Sequence, residues 1–335
     1  MTTESSRPLF SLEDFRATRE ALRKKIDVTP LQRSDSLSEL TGAEVYLKLE
    51  SFQRTNSFKV RGAYGALLAR LEEARQRGVV TGSSGNFAQG LAYAGRELDV
   101  PVTVVMLERS APNKVEAARQ WGAEIVFCEN EFTERNKTVD RIQRETGKLL
   151  IHSYDNEGTI HGNGTVGLEL LEQLPGVDVL LAPASGGGIL SGIAAVVKQA
   201  RPEAEVYGVQ PEANPSLRAS LQAGKPTTVN TLPSIADGLI ATSPGKLPFD
   251  IIQSHVEDVL LVSEVEIARA VVHLLEQDKL VVEPSGAVGV AALLRHMKDN
   301  VSGKKIVVVL TGGNLAQERL DEIIAMAKDG AVEQS

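Results

Sequence analysis

Lys59, in Ser57-Phe58-Lys59-Val60-Arg61-Gly62-Ala63, is the residue in this chain best placed to do chemistry. It follows a phenylalanine and opens a stretch of small residues, Gly62-Ala63-Tyr64-Gly65-Ala66-Leu67-Leu68-Ala69, that reads as a helix. A lysine held against apolar neighbours loses solvation of its ammonium, so its pKa falls and the free amine becomes available. A free amine adds to an aldehyde, which is how pyridoxal phosphate (PLP) is tethered in the enzymes that use it. Taken alone, a lysine at a helix start is ordinarily a solvated one.

Three glycine-rich sites change that balance. Thr81-Gly82-Ser83-Ser84-Gly85-Asn86-Phe87-Ala88-Gln89-Gly90 closes a short strand and leads into a helix from Leu91 to Leu98. Exposed amides and two hydroxyls at a helix start can receive a carboxylate or a phosphate, although Ser83 or Ser84 serves equally well as a plain helix cap. Pro183-Ala184-Ser185-Gly186-Gly187-Gly188-Ile189-Leu190-Ser191-Gly192 directly follows the apolar run Val179-Leu180-Leu181. Consecutive glycines let the backbone wrap an oxyanion, and the helix that follows aims its N-terminal dipole at the same point, so this reads as a phosphate cup. In Val308-Val309-Leu310-Thr311-Gly312-Gly313-Asn314, Thr311 puts a hydroxyl at a strand's carboxyl end, where α/β proteins bind ligands.

Other patterns carry less. Gly162-Asn163-Gly164-Thr165-Val166-Gly167 matches a dinucleotide-binding pattern, but polar residues part it from the preceding strand, and the next strand ends in Ala182-Pro183 with no acid to hold a ribose. Close helix packing is the better reading. No Gly-Lys-Ser/Thr follows a glycine run, and His152, His161, His255, His273 and His296 show no metal-ligand spacing.

These sites need elements to hold them. Probable strands are Ala43–Leu49, Val79–Thr81, Val102–Leu107, Ile125–Cys128, Leu149–His152, Val179–Ala182, Val206–Val209, Val259–Val262 and Ile306–Leu310. They are continuous Val/Ile/Leu runs separated by helical patterns, as in parallel sheets buried on both faces, which gives an α/β architecture. Ser11-Leu12-Glu13-Asp14 is a capping box that opens a helix to about Ile26, and Pro211 to Asp250 reads as a lid or packed loop. A chain of 335 residues suffices for two domains or one large one, and 42% hydrophobic with 24% charged residues is ordinary for a globular enzyme. A net charge of −8, with no basic run or aromatic ladder, argues against a nucleic-acid partner. The single cysteine, Cys128, reads as a buried inert thiol and fits a reducing cytoplasm. Neither a signal-peptide core in the charged first thirty residues nor a membrane-length apolar stretch is present, so a soluble, cytoplasmic protein with no membrane partner is expected.

Taken together, Ser57-Phe58-Lys59-x-Arg61-Gly62-Ala63, Ser84-Gly85-Asn86, the Gly186–Gly188 cup, Val282-Glu283-Pro284-Ser285-Gly286-Ala287 and Thr311-Gly312-Gly313-Asn314 resemble the fold-type II PLP enzymes. The likeness is greatest to the serine/threonine dehydratases and serine racemases, and it runs in order from about residue 12 onward. It implies a two-domain, tryptophan synthase beta-like fold of twisted, mostly parallel sheets with flanking helices. The large PLP-binding domain would comprise 1–53 and 156–335, and the small mobile domain 54–155; a homodimer is expected on the same ground. By this resemblance Lys59 tethers PLP, with Phe58 beside it, and Asn86 bonds the ring hydroxyl. Ser185, Gly186, Gly187, Gly188 and Ile189 hold the phosphate, Gly238 and Glu283 line the ring, and Thr311 meets the pyridine nitrogen. Ser83, Ser84, Gly85, Asn86 and Phe87 form the substrate loop, which receives an amino-acid carboxylate.

The implied reaction is β-elimination from a 3-hydroxy amino acid, with Lys59 as base, to give a 2-oxo acid and ammonia. Thr311 can donate to the pyridine nitrogen but does not stabilise a pyridinium as an aspartate would, which suits expulsion of a β-leaving group better than transamination. Ser84 keeps an isomerase open, since racemases of this kind exchange a proton there on the face opposite the lysine. A β-replacement enzyme, which needs a second nucleophilic substrate, is the other rival. A silent PLP- or anion-binding protein is disfavoured because Lys59 and the anion loops are intact.

The chain departs from the family pattern at several points. Phe87 stands where histidine is usual; its ring either packs in the helix or faces the substrate, and in the second case a bulkier, more apolar substrate such as phenylserine is expected. Ser185 replaces a glycine and Thr311 a serine. Gln210 and Ser216 replace likely acidic ligands of the racemases' divalent-cation site, leaving Glu212 isolated, so no strong metal site is expected. The chain ends soon after Asn314, so the C-terminal regulatory domain of biosynthetic threonine dehydratases, and its feedback control, are expected to be missing.

Overall fold

The computed structural model describes residues 10–329. Ten strands form, in chain order β1 (Leu31–Arg33), β2 (Glu44–Leu49), β3 (Val79–Gly82), β4 (Val102–Leu107) and β5 (Glu124–Cys128). Then follow β6 (Leu149–Leu150), β7 (Val179–Pro183), β8 (Glu205–Pro211), β9 (Asp258–Val262) and β10 (Lys305–Leu310). They make two sheets: a six-stranded one in the order β1-β2-β10-β7-β8-β9 and a four-stranded one in the order β5-β4-β3-β6. Every pairing is parallel except β1 with β2.

The apolar strands are buried on both faces, and their alternate residues feed different cores. In β10, Ile306, Val308 and Leu310 join one cluster with Leu181 and Val288. Val307 and Val309 point the other way, into a cluster with Leu180, Leu190 and Ile193. The small sheet has its own core, in which Val79, Val102, Val104 and Met106 meet Tyr64, Phe87 and Leu91. The expected strands all form, Val102–Leu107 to the residue and the others with shifted ends; the Leu149–His152 run shrinks to two residues because His152 already turns into the loop. Edge strand β1, three residues long and directly after Pro30, carries no periodic signal and was not expected.

The first helix is Leu12–Leu22, with both bonds of the Ser11–Asp14 capping box made, and it stops short of Ile26. The Pro211–Asp250 region is a packed loop, not an open one. It holds the helix Ser216–Ala223, and Ile235, Ala236 and Leu239 are buried. Asn214 Nδ2 donates to the carbonyls of Leu239 (2.6 Å) and Ala241 (3.1 Å).

The 162–167 glycines lie inside the helix Glu157–Gln173 and serve close packing. A Cβ at Gly162 would stand 2.1 Å from the Arg61 carbonyl, and one at Gly65 would stand 2.2 Å from the Gly158 carbonyl. This helix is therefore pressed against Lys59–Leu68, the helix that begins with the chemical lysine. Beside the contact lies a buried charge network. Arg61 Nε reaches Glu50 Oε2 at 2.8 Å, Arg61 Nη1 reaches Glu169 Oε1 at 2.7 Å, and Lys48 Nζ reaches Glu169 Oε2 at 2.8 Å. Burial alone would lower the Arg61 pKa, but the charges of Glu50 and Glu169 outweigh it and hold the guanidinium protonated. The network fixes the second residue after Lys59 to β2 and to the neighbouring helix.

Among the described residues, no helix is long and apolar enough to cross a membrane. No group of three or more His, Cys, Asp or Glu is placed to hold a metal ion, again among the described residues. Glu212 instead bonds Arg295 at 2.7 Å, and Gln210 receives the Leu217 and Arg218 amides at 3.0 and 3.1 Å. Cys128 is buried, and burial pushes its thiol pKa up.

Candidate active site

Five segments converge, three of them because parallel strands deliver their carboxyl ends to one side. The loop after β3 carries Ser83, Ser84 and Gly85 into the helix Asn86–Glu97. The loop after β7 carries Ser185 to Gly187 into the helix Gly188–Ala200. Thr311 follows β10, and a main-chain bond from the Phe58 amide to the Thr311 carbonyl (3.1 Å) brings Lys59 beside it. Glu283 caps the helix Pro284–Ala292. Between them lies a cavity of about 770 Å³.

The residues expected to bind cofactor and substrate all line that cavity: Phe58, Lys59, the loop Ser83 to Phe87, Ser185 to Ile189, Gly238, Glu283 and Thr311. Phe87 does so only marginally. It is 2% exposed, and its ring belongs to the small-sheet core.

Lys59 is half-buried, its Nζ 4.7 Å from the Phe58 ring centroid. Burial lowers its pKa to about 8, against the raising pull of the Glu283 charge. Glu283 is perturbed in the opposite sense, to about 7, by burial first and by the nearby Asp237 charge second. Lys114, the Asn86 hydrogen bond and Lys59 work against that rise. A lysine pulled down and a carboxyl pushed up in one cavity are a common mark of a working site.

The glycine cup has the geometry its sequence calls for. Gly187 sits at φ 94°, open to glycine at no cost, and the first i→i−4 bond of the helix is Ser191 N to Gly187 O at 2.9 Å. The amides ahead of it are left for an anion. A Cβ at Gly186 would stand 2.4 Å from the Tyr154 ring, so only glycine fits under that aromatic. Ser185 Oγ accepts the Ala241 amide at 3.1 Å, which leaves its own hydrogen to donate. An anion cradle, a neighbouring lysine of lowered pKa and a hydroxyl at the β10 end form a donor set that fits PLP. The cradle suits its phosphate, Lys59 its aldehyde, and Thr311 its ring nitrogen. When bound, the cofactor supplies an electron sink for charge developing at a substrate's α-carbon.

On the substrate side, Ser84 Oγ accepts hydrogen bonds from Ser110 Oγ (2.7 Å) and from the Leu107 amide (3.3 Å). Its own proton remains to be donated. Several lining residues carry no sequence motif. Arg109, Ser110 and Lys114 follow β4, His152 and Tyr154 follow β6, and Arg135 comes from the helix Phe132–Thr146. Their one signal was position just past the carboxyl ends of buried strands. Burial lowers the His152 and Arg135 pKa values and raises that of Tyr154. Lys114 Nζ spans the cleft to Asp237 Oδ2 at 2.6 Å.

Comparison with known proteins agrees with this geometry. The chain is 42% identical over 316 residues to an L-threonine ammonia-lyase of Thermotoga maritima, covering 94% of this chain and 78% of that protein. It is 38% identical over 317 residues to an L-threo-3-hydroxyaspartate ammonia-lyase of a Pseudomonas species, covering 94% of this chain and 99% of that one. The crystal structure of serine racemase from Dictyostelium discoideum superimposes with a TM-score of 0.87 at 35% identity, over 92% of this chain and all of that one. Residues 22–312 match the profile of the pyridoxal-phosphate dependent enzymes, and the chain belongs to that family.

Proposed function

We propose that the protein is a hydroxy-amino-acid ammonia-lyase that β-eliminates water from a 3-hydroxy amino acid to give a 2-oxo acid and ammonia. The observation that carries this reading is the shared cavity of Lys59, the 185–189 cup and Thr311. Lys59, with its pKa lowered to about 8, serves as the base for the α-proton near neutral pH. Asn86 bonds the cofactor's ring hydroxyl, Gly238 and Glu283 line the ring, Phe58 packs beside the tether, and the cup holds the phosphate. Ser83, Ser84 and Gly85 receive the substrate carboxylate. The ammonia-lyase relatives support this reaction class.

The substrate is small and polar. Arg109, Lys114 and Arg135 bring cationic side chains to the cavity wall, which favours a polar β-substituent, as in threonine or 3-hydroxyaspartate. A preference for phenylserine would need the Phe87 ring to form an apolar wall, whereas most of that ring packs in the small-sheet core. A second reading, an amino-acid racemase, is favoured by Ser84. It keeps a proton to donate, and the two bonds it accepts would steady its conjugate base.

In this reading 54–155 is a small mobile domain that closes on a large one made of 1–53 and 156–335. The protein works in the cytoplasm as a homodimer. Val28, Phe52 and Val281 are large apolar side chains left exposed in the single chain, as a second copy could cover. The test is 2-oxo acid release from L-serine, L-threonine, L-threo-3-hydroxyaspartate and phenylserine. Turnover of any of the first three supports the proposal, and turnover of phenylserine alone would make Phe87 a specificity residue. No 2-oxo acid, but loss of enantiomeric purity in L-serine, would establish the racemase.

A further inference from the structure

Asn314 lies in the loop after β10, and its side chain bonds two separate segments, Thr55-Asn56 and Asn86. Nδ2 donates to the Thr55 carbonyl and to Asn86 Oδ1, both at 2.9 Å. Its Oδ1 accepts from Asn56 Nδ2 at 3.3 Å. Asn86 in turn donates from Nδ2 to Glu283 Oε1 at 2.6 Å.

A side-chain amide has nearly the same shape either way round, so its partners decide which end faces where. Both hydrogens of Asn314 Nδ2 are spent as donors, and only Asn86 Oδ1 can receive the second. A turned Asn86 would oppose NH2 to NH2 at Asn314 and set an oxygen against the Glu283 carboxylate. The observed sense directs Nδ2 toward Glu283 and keeps its second hydrogen for a ligand in the cavity that Asn86 lines. Gly312 makes room for the pair, since a Cβ there would stand 2.3 Å from Glu283 Oε1 and 3.2 Å from Asn86 Nδ2. The same asparagine braces the approach to Lys59. Thr55 and Asn56 adopt left-handed φ values of 62° and 53°, and they are held by the Asn314 bond and by Gly313 N to Asn56 O at 2.9 Å.

We infer that Asn314 is a positioning residue that locks the Asn86 amide with its donor end toward Glu283 and the bound cofactor. It acts through Asn86, without itself touching substrate. The inference rests on the cavity being the PLP site but not on which reaction follows.

The experiment is a double-mutant cycle read by PLP affinity and by the absorption spectrum of the bound cofactor. Wild type, Asn314→Leu, Asn86→Ala and the double variant are compared, with thermal melts of the cofactor-free forms as the control for folding. Each single variant is expected to weaken PLP binding by about tenfold and to shift the absorption band. The double variant should be weakened by clearly less than the product of the two single effects, because the Asn314–Asn86 bond is lost in either single variant. Wild-type affinity and spectrum in Asn314→Leu would overturn the inference. So would a double variant weakened by the product of the two single effects. If the leucine variant does not fold, Asn314→Ser takes its place in the same cycle. Failure of the wild type to bind PLP would instead sink the cofactor assignment on which the inference rests.

Discussion

Replacing Glu283 with glutamine should stabilise the cofactor-free protein, and far more at pH 8 than at pH 5. Burial, aided by Asp237, raises this carboxyl from its ordinary 4.5 to about 7, so the folded state holds its proton where the unfolded state has lost it. Stability therefore falls as pH rises from about 4.5 to about 7 and is level above that. At about 1.4 kcal/mol per pKa unit, Glu283 costs the folded protein about 3 kcal/mol at pH 8, where it is ionised, and about 1 kcal/mol at pH 5, where the fold keeps it protonated. Glutamine has the same shape, and its Oε1 can still accept from Asn86 Nδ2, so the substitution removes the charge and little else. Urea unfolding of both cofactor-free proteins at the two pH values, followed by circular dichroism, measures the difference directly. An advantage of the variant that is equal at pH 5 and pH 8, or a variant less stable at pH 8, would refute the reasoning. A group that costs the fold this much stability is one retained for use at the site.

Arg61→Met should destabilise the protein by about 3–5 kcal/mol, since it leaves Glu50 and Glu169 buried with only Lys48 to balance them. Denaturant unfolding reads that loss, and one below 1 kcal/mol would mean the network is dispensable. Thr311→Asp should lower the elimination rate while PLP stays bound, because a carboxylate at the β10 end favours a protonated ring; unchanged kinetics would count against the role given to Thr311. Phe87→Ala should cost about 3 kcal/mol of stability, as expected for a core ring, while leaving the ratio of threonine to phenylserine turnover unchanged. A changed ratio would put the ring in the substrate site.

Much of the fold was legible in the sequence because its strands are buried on both faces. Continuous apolar runs such as Ile306–Leu310 have one reading in an α/β protein, and β3, β4, β6, β7 and β10 bring their carboxyl ends to the cavity. The site loops were legible for a related reason. Strand, glycine cluster and helix in immediate succession leave unpaired amides at a fixed place. The Gly162–Gly167 pattern could be set aside on the same logic, since no tight turn from a strand precedes it, and the glycines prove to be contact points with three neighbouring helices.

What stayed hidden depends on contacts distant in sequence. β1 is three residues long and exists because β2 offers it an edge. Arg135 and Tyr154 reach the cavity through the packing of the small sheet, and beyond their place after β5 and β6 no local pattern marks them. The bond between Lys114 and Asp237 spans 123 residues of chain. Phe87 shows the limit most clearly, because the residue before it and the residue after it give no sign of which way its ring turns. The burial of the ring itself, in the core that also takes Leu91 and Met106, decides the matter.

The most direct test of the account is to incubate the PLP-loaded protein with L-threonine and L-serine. Both 2-oxo acid and ammonia are measured, and the enantiomeric purity of the remaining substrate is followed. The account predicts 2-oxo acid and ammonia in equal amounts, with none from Lys59→Ala. Accumulation of the opposite enantiomer without 2-oxo acid, or undiminished turnover in Lys59→Ala, would contradict it.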